Sequence, residues 1–451
     1  MIAANQIQDR QSSDGLPYAP GTFLTDTEAH LRKLAEAWRH IRRRQAAGAE
    51  LHNVSGLERG LPLQDTGGGF LDDEWSGALY GEQVRELGLA HLGGTADRHD
   101  IVITNRLTAA LFAAMQVTVR PGSTVIGVSP TYSHPAIVRA VRDAGGRFVD
   151  TVGAAEFEEA LRAHPDVSVV TLTRLAVTYD ILAEDDLRRV VELAHARGAV
   201  VVVDDAGGAR VGPAVAGQPR TLELGADLGA TGLDKYGVIG PRVGLLGGRT
   251  DLVARVRARC YELGSECRPV LYPAVVHCLE SYRPERVREL VASTRQVGAA
   301  LRARLGDHLV EETPFITRIT GEAIGAELAR RAAANPALVR AAEPVRGAEP
   351  EGGAEPARGA EPISLAPIDA TALLAMTMLR DRGLLTVHFA GLPPGTSALL
   401  IKFLPPETIG VLGGPDAFAA AVDDSLDRAA AAVTDEDAVR RLLFGPPAAG
   451  G

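Results

Sequence analysis

Between about residues 100 and 248, short runs of β-branched and aliphatic residues alternate with stretches whose apolar positions recur at helical spacing. The runs at 101–104, 124–128, 167–172 and 200–203 predict strands, because consecutive apolar side chains bounded by turn residues suit strands buried on both faces. The stretches at 107–119, 134–144, 154–163 and 184–197 predict the helices between them. Gly122, Gly145, Gly146 and Gly198 fall where those helices should stop, as C-terminal caps do. Strands that alternate with helices in this way build βαβ units and a mainly parallel sheet, so the fold class is α/β.

The flanks read differently. Residues 25–49 place Leu31, Leu34, Ala35, Trp38 and Ile41 at helical spacing after a Thr/Asp start, which predicts an N-terminal helix. Its Arg42-Arg43-Arg44 run suits a solvated face or a subunit contact. After residue 251 a helical region runs to about 305, and short strands are expected at 384–389 and 397–403. Within this C-terminal part, residues 341–362 repeat Glu-Pro every six residues. Proline at that frequency forbids a regular helix, and the lack of apolar residues forbids a core, so a surface insertion without fixed structure is expected. The domain reading is an arm over 1–65, a large domain over 66–290 and a small α/β domain over 291–451.

Composition narrows the function. The core must be built from Ala, Val, Leu and Ile, because aromatics are only 4% of the 451 residues. Opposing 47 Lys and Arg to 57 Asp and Glu gives a net charge of −10, which argues against nucleic acid as a partner. The N-terminus lacks a signal-peptide core and no apolar run is long enough to cross a bilayer, so a cytoplasmic protein without membrane contact is expected. Cys260, Cys267 and Cys278 match no metal-ligand spacing, so no metal is expected and the cysteines read as packing residues.

The strongest chemical signal starts at the end of a buried strand, Val200-Val201-Val202-Val203-Asp204-Asp205-Ala206-Gly207-Gly208. A carboxylate there lies where open α/β sheets bind ligands. About thirty residues on, Ala230-Thr231-Gly232-Leu233-Asp234-Lys235-Tyr236-Gly237 sets a lysine among small residues, in a chain with few lysines elsewhere. Burial can lower such an amine's pKa until it forms a Schiff base with a carbonyl; a surface lysine at a turn is the alternative. Upstream, Thr104-Asn105-Arg106-Leu107-Thr108 runs from a strand into a helix, so its amides and Arg106 can face an anion. Thr131-Tyr132-Ser133-His134-Pro135 follows another strand, and His134 also suits a helix N-cap.

In this order and at this separation, the segments resemble the fold-type I pyridoxal 5'-phosphate (PLP) enzymes of the aspartate aminotransferase superfamily. The resemblance implies a three-layer α/β/α large domain, a smaller α/β domain, PLP as cofactor and a homodimer. It implies that Asp204 pairs with the pyridine nitrogen, that His134 stacks over the ring and that Ala206 lies against a ring face. Lys235 would carry the Schiff base and move protons, Thr231 would join the cofactor contacts, and Asn105, Arg106, Leu107 and Thr108 would cradle the phosphate. Arg106 departs from the family, whose members mostly carry Gly, or Ser/Thr followed by Gly, at this turn. Within the superfamily, Asn53-Val54-Ser55-Gly56, the Leu92-Gly93-Gly94 element and the Asp234-Lys235 pair followed by Gly240-Pro241 are similar to the selenocysteine synthase branch.

The aminotransferase pattern also carries asparagines after the third strand and an arginine in the small domain. Here residues 171–180 hold neither asparagine, and Lys402 stands in the late strand. Arg174, Arg242 and Lys402 are therefore the candidates for binding an anionic group of a small amino substrate. The expected reaction is that of a lyase or a β/γ-replacement enzyme working through an external aldimine and a carbanion. An aminotransferase on an unusual amino substrate is the alternative, and a selenium transferase on aminoacyl-tRNA is disfavoured by the acidic balance.

Overall fold

The computed structural model describes residues 16–62, 72–334, 362–389 and 391–446. All of the Glu-Pro insertion except Pro362 lies outside the described residues. The chain forms two compact units, one of Met1–Pro17 and Leu57–Leu290, the other of Tyr18–Gly56 and Val291–Gly451. Among the described residues, no helix is long and apolar enough to cross a membrane.

Numbered along the chain, the first strands are β1 (His52–Asn53), β2 (His99–Thr104), β3 (Thr124–Ser129), β4 (Arg147–Val152), β5 (Val167–Thr173), β6 (Val200–Asp204), β7 (Leu228–Gly232) and β8 (Gly244–Arg249). The first unit holds a seven-stranded sheet in the order β2-β8-β7-β6-β5-β3-β4. Only β8 runs against its neighbours, β2 and β7; the other pairs are parallel. Because side chains alternate along a strand, Val125, Val169, Val202, Leu228 and Leu246 share one face, buried under helices Leu107–Thr118, Pro135–Asp143 and Thr250–Leu263. Ile126, Val128, Val170, Leu172, Val201 and Val203 form the other face, under helices Gly153–Ala163 and Glu184–Ala196. The result is a three-layer α/β/α fold on a mainly parallel sheet.

Three of the seven strands were not expected. β4 lies at the sheet edge and is only partly buried, so its side chains lack a continuous apolar run. β7 and β8, with sequences Leu-Gly-Ala-Thr-Gly and Gly-Leu-Leu-Gly-Gly-Arg, are poor in β-branched residues. Packing requires those glycines: a Cβ on Gly247 would lie 2.7 Å from Leu92, and one on Gly244 would lie 2.8 Å from the Leu107 amide nitrogen. The helical region expected to reach 305 is three helices, Thr250–Leu263, Tyr272–Glu280 and Pro284–Leu305, the first stopped by Gly264 at φ 60°. All three cysteines are buried and unbridged.

In the second unit, β9 (Glu311–Glu312), β10 (Ile316–Thr320) and β12 (Ala398–Lys402) form an antiparallel sheet, and β1 pairs in parallel with β11 (Leu384–Leu385). The strand expected at 384–389 is β11 followed by a 3-10 turn, Val387–Phe389. Helix Thr27–Ala46 packs here with Pro367–Arg382 and Glu436–Phe444. Its buried face differs from the expected one. Leu31 and Trp38 are 52% and 53% exposed, whereas His30, Lys33 and Glu36 are buried with Ala29 and Ala37.

Candidate active site

The carboxyl ends of the parallel strands place the candidate residues of the first unit. Asp204 is the last residue of β6 and pairs in register with Thr173, the last of β5. Its side chain is buried, and Oδ1 has no hydrogen-bond partner. Burial, with Asp205 beside it, raises its pKa to about 7, while the Lys235 charge and the Ala206 amide pull the other way. A buried carboxylate with an open oxygen fits a protonated ring nitrogen, which would supply both the charge and the proton that Asp204 lacks. Thr231 lies on neighbouring β7, and its hydroxyl donates to the Ala206 carbonyl at 3.2 Å, tying the turn after Asp204 to the lysine strand.

Lys235 follows β7 in a loop held by backbone pairing. Leu57 and Arg59 make isolated bridges to Lys235 and Gly240, and the Glu58 amide donates to the Asp234 carbonyl at 3.0 Å. The Glu58 carboxylate also accepts from the Gly237 amide at 2.6 Å and is clamped by Arg286 at 3.1 Å. Lys235 Nζ is thereby held 3.7 Å from Asp234 Oδ1, with the side chain 18% exposed. Burial lowers its pKa and Asp234 opposes that shift, so the amine is eased toward its nucleophilic form without losing its charge partner. The next residue, Tyr236, adopts φ 54°, and its hydroxyl hydrogen-bonds that of Tyr179, itself at φ 68°. Two tyrosines in the left-handed region beside one lysine mark a backbone that the surrounding packing over-determines.

His134 is the N-cap of helix Pro135–Asp143, and its Nδ1 accepts from the Ala136 amide at 3.1 Å. The capping role and a place by the lysine coexist, because burial, Arg139 and Lys235 together lower its pKa to about 4. The ring is therefore neutral near pH 7, with its proton on Nε2.

At the end of β2, the turn into helix Leu107–Thr118 leaves first-turn amides without a side-chain cap. The Leu107 and Thr108 amides are the open donors, as the first turn of any helix provides. The Asn105 amide is a correction: it donates to the Ser265 carbonyl at 2.9 Å and is not open to a ligand. Arg106 is exposed and faces Arg242 closely enough that the two charges, with Arg59, help lower the Arg242 pKa to about 10, behind burial as the largest cause. Arg242, expected at a substrate anion, thus stands within electrostatic reach of Arg59, Arg106 and Asp234.

Arg174 is also corrected. It is fully buried, donating from Nη2 to Asp205 Oδ2 at 2.8 Å and from Nη1 to the Pro219 carbonyl at 2.6 Å, while Nε has no partner. Glycines make room for it, since a Cβ on Gly212 would lie 2.5 Å from its guanidinium. A guanidinium held this way anchors the Asp204-Asp205 turn and has no access to substrate. Lys402 ends β12 in the second unit, where it is buried and packs over Gly56. Arg59, Tyr179 and Glu58 were not expected at the site. None carries a local motif, and each arrives through pairing with a distant segment. Arg210, on the helix after Asp204, donates to the Ala206 carbonyl at 2.9 Å and helps lower the Lys235 pKa.

No family model matches the chain. Over 265 residues it is 35% identical to a UPF0425 pyridoxal phosphate-dependent protein of Methanothermobacter thermautotrophicus, covering 58% of this chain and 67% of the relative. A second protein of that description, from Methanosphaera stadtmanae, is 30% identical over 53% of this chain and 60% of its own length. Among solved structures, aspartate aminotransferase from Thermotoga maritima superposes with a TM-score of 0.50 at 15% identity, over 86% of this chain and 96% of that one, which shows the fold alone. The open oxygen of Asp204, the largely buried amine of Lys235 and the uncapped amides at Leu107 and Thr108 fit the ring nitrogen, aldehyde and phosphate of one cofactor. The chain belongs to the UPF0425 pyridoxal phosphate-dependent proteins, and pyridoxal phosphate is its cofactor.

Proposed function

We propose that the chain is a PLP-dependent lyase or β/γ-replacement enzyme acting on a small amino acid or amine. The observation that carries this reading is the Asp234-Lys235 pair at 3.7 Å, in a loop that also faces Asp204 and His134. Bound PLP supplies an electron sink for charge that develops at the substrate's α-carbon. Lys235 takes the proton from that carbon and returns it, and Asp234 keeps the amine within reach through the exchange. Asp204 holds the ring nitrogen's proton. Neutral His134 covers the ring without competing for the phosphate. The Leu107 and Thr108 amides hold the phosphate, with Arg106 and Arg242 adding charge.

Elimination or replacement is favoured over transamination because residues 171–180 offer neither asparagine nor a guanidinium open to substrate: Arg174 is used by Asp205. A homodimer in the cytoplasm belongs to the same reading. The deciding experiment mixes the PLP-loaded protein with a panel of amino acids, amino sugars and amines. Release of ammonia or a leaving group with the visible band restored supports the reading. An oxo acid with conversion of the cofactor to its amine form supports an aminotransferase. A Lys235→Ala protein that keeps the visible band unchanged rejects the site.

A further inference from the structure

The carboxyl ends of β3, β5 and β6 carry a row of polar side chains. Thr173 is in register with Asp204, and Ser129 follows Val128, which is in register with Leu172, the residue before Thr173. Residues paired across adjacent strands point to the same face, about 4.8 Å apart, so Ser129, Thr173 and Asp204 stand side by side. All three are at most 3% exposed. The Ser129 hydroxyl, the Thr173 hydroxyl and Asp204 Oδ1 each lack a hydrogen-bond partner, as does the Thr171 hydroxyl two residues before Thr173. Four buried oxygens without partners in one patch stand out, because buried polar atoms are nearly always bonded.

The patch continues across Gly127, which is in register with both Asp150 and Thr171. The space a Cβ on Gly127 would fill is bounded most closely by the Phe148 ring edge, and by Ser133 Oγ and Asp150 Oδ1 at 2.5 and 2.8 Å from that point. Asp150 accepts from the Ser133 hydroxyl at 2.7 Å and its amide at 3.0 Å. Valine or leucine would fill these positions in an ordinary sheet interior, and the row below does so with Val125, Val169 and Val200. The hydroxyls therefore serve the strand ends.

We propose that Thr173, supported by Ser129, is a positioning residue for the cofactor: its hydroxyl donates to Asp204 through one bridging water, and keeps that carboxylate charged and oriented. This rests on the reading that Asp204 engages the ring nitrogen. The chemistry requires such a donor. A carboxylate buried beside Asp205 drifts toward its neutral form, and a neutral acid holds a protonated ring nitrogen poorly; a hydroxyl donor reverses the drift. Threonine suits the role because its β-branched side chain has few rotamers, so Oγ1 is set by the strand itself.

The test is a pH titration of the visible absorption of the PLP-loaded protein, with the PLP dissociation constant measured in parallel. Thr173→Val keeps the shape and removes the donor. The midpoint should move up by about half a unit or more, and PLP should bind about threefold or more weakly, as expected when one hydrogen bond to a charged group is lost. Thr173→Ser should restore both, and Ser129→Ala should give a smaller shift of the same sign. A Thr173→Val protein that folds, loads PLP and titrates like the parent overturns the proposal. If Thr173→Val does not fold, an unshifted Ser129→Ala protein overturns it. Asp204→Asn separates the two readings: if it moves the titration and the hydroxyl variants do not, only this proposal fails. If Asp204→Asn also titrates like the parent, the assignment of Asp204 fails with it.

Discussion

The Arg59 guanidinium donates from Nε to Oδ2 of Asp234 at 2.9 Å, across 175 residues of sequence. The same carboxylate faces Lys235 through its other oxygen. Arg59 and Lys235 therefore share one counter-charge, and what is done to either partner of Asp234 must be felt by the amine.

Replacing Arg59 with Leu removes a cation that helps lower the Lys235 pKa and leaves Asp234 to Lys235 and Arg242. The pH dependence of PLP capture by the apoprotein should shift upward, because the amine stays protonated to higher pH. Asp234→Asn should shift it downward, since the charge that supports the ammonium is gone. Stopped-flow growth of the visible band across pH reads both. Equal or reversed shifts would reject the shared-counter-charge picture.

Arg106 is the N-cap residue of helix Leu107–Thr118, whose first turn has no side-chain cap, and it has no acidic partner among the described residues. Arg106→Ala should weaken PLP binding by about tenfold, the scale of one charge-assisted hydrogen bond to phosphate. The melting temperature of the apoprotein should stay the same or rise, because Arg242 loses a repulsive neighbour. Equilibrium titration with PLP and a thermal melt of the apoprotein check the two halves separately.

The Arg174–Asp205 pair is fully buried, so removing one partner strands a charge. Arg174→Met should cost about 3 kcal/mol or more, seen as a lower melting temperature, whereas the double variant with Asp205→Leu should recover part of the loss. If Arg174 instead held substrate, the single variant would melt normally and lose only substrate affinity.

Lys33, in the second unit, is buried and donates weakly to the His388 carbonyl at 3.3 Å. Burial lowers its pKa to about 7, against a partly compensating Asp369. Between pH 7 and the ordinary lysine value, the unfolded chain holds a proton that the folded chain does not, so stability falls as pH falls through this window. Lys33→Met should stabilise the protein by on the order of 3 kcal/mol at pH 7, and the gain should shrink toward pH 10.5. Chemical denaturation at several pH values would show it, and a gain independent of pH would contradict the buried-charge account.

The buried parallel strands β3, β5 and β6 and their intervening helices were legible in the sequence because uniform apolar runs and glycine stops are local signals. So were Asp204 at a strand end and Lys235 in a glycine-rich loop, since both positions follow from where open α/β sheets bind ligands. Glycine-rich β7 and β8 carry no such run. They exist because Gly244 and Gly247 allow Leu107 and Leu92 to approach the sheet, and that approach is visible only after folding.

The tertiary structure decided the rest. It gave Arg174 to Asp205 rather than to a substrate, set Arg59 beside Asp234, paired Tyr179 with Tyr236, and aligned Ser129, Thr173 and Asp204 along one row. Each of these relationships joins residues 31 to 175 positions apart or depends on strand register. A charge's partner is set by which segments pair and at what register, and the order of residues along the chain does not contain that information in local form.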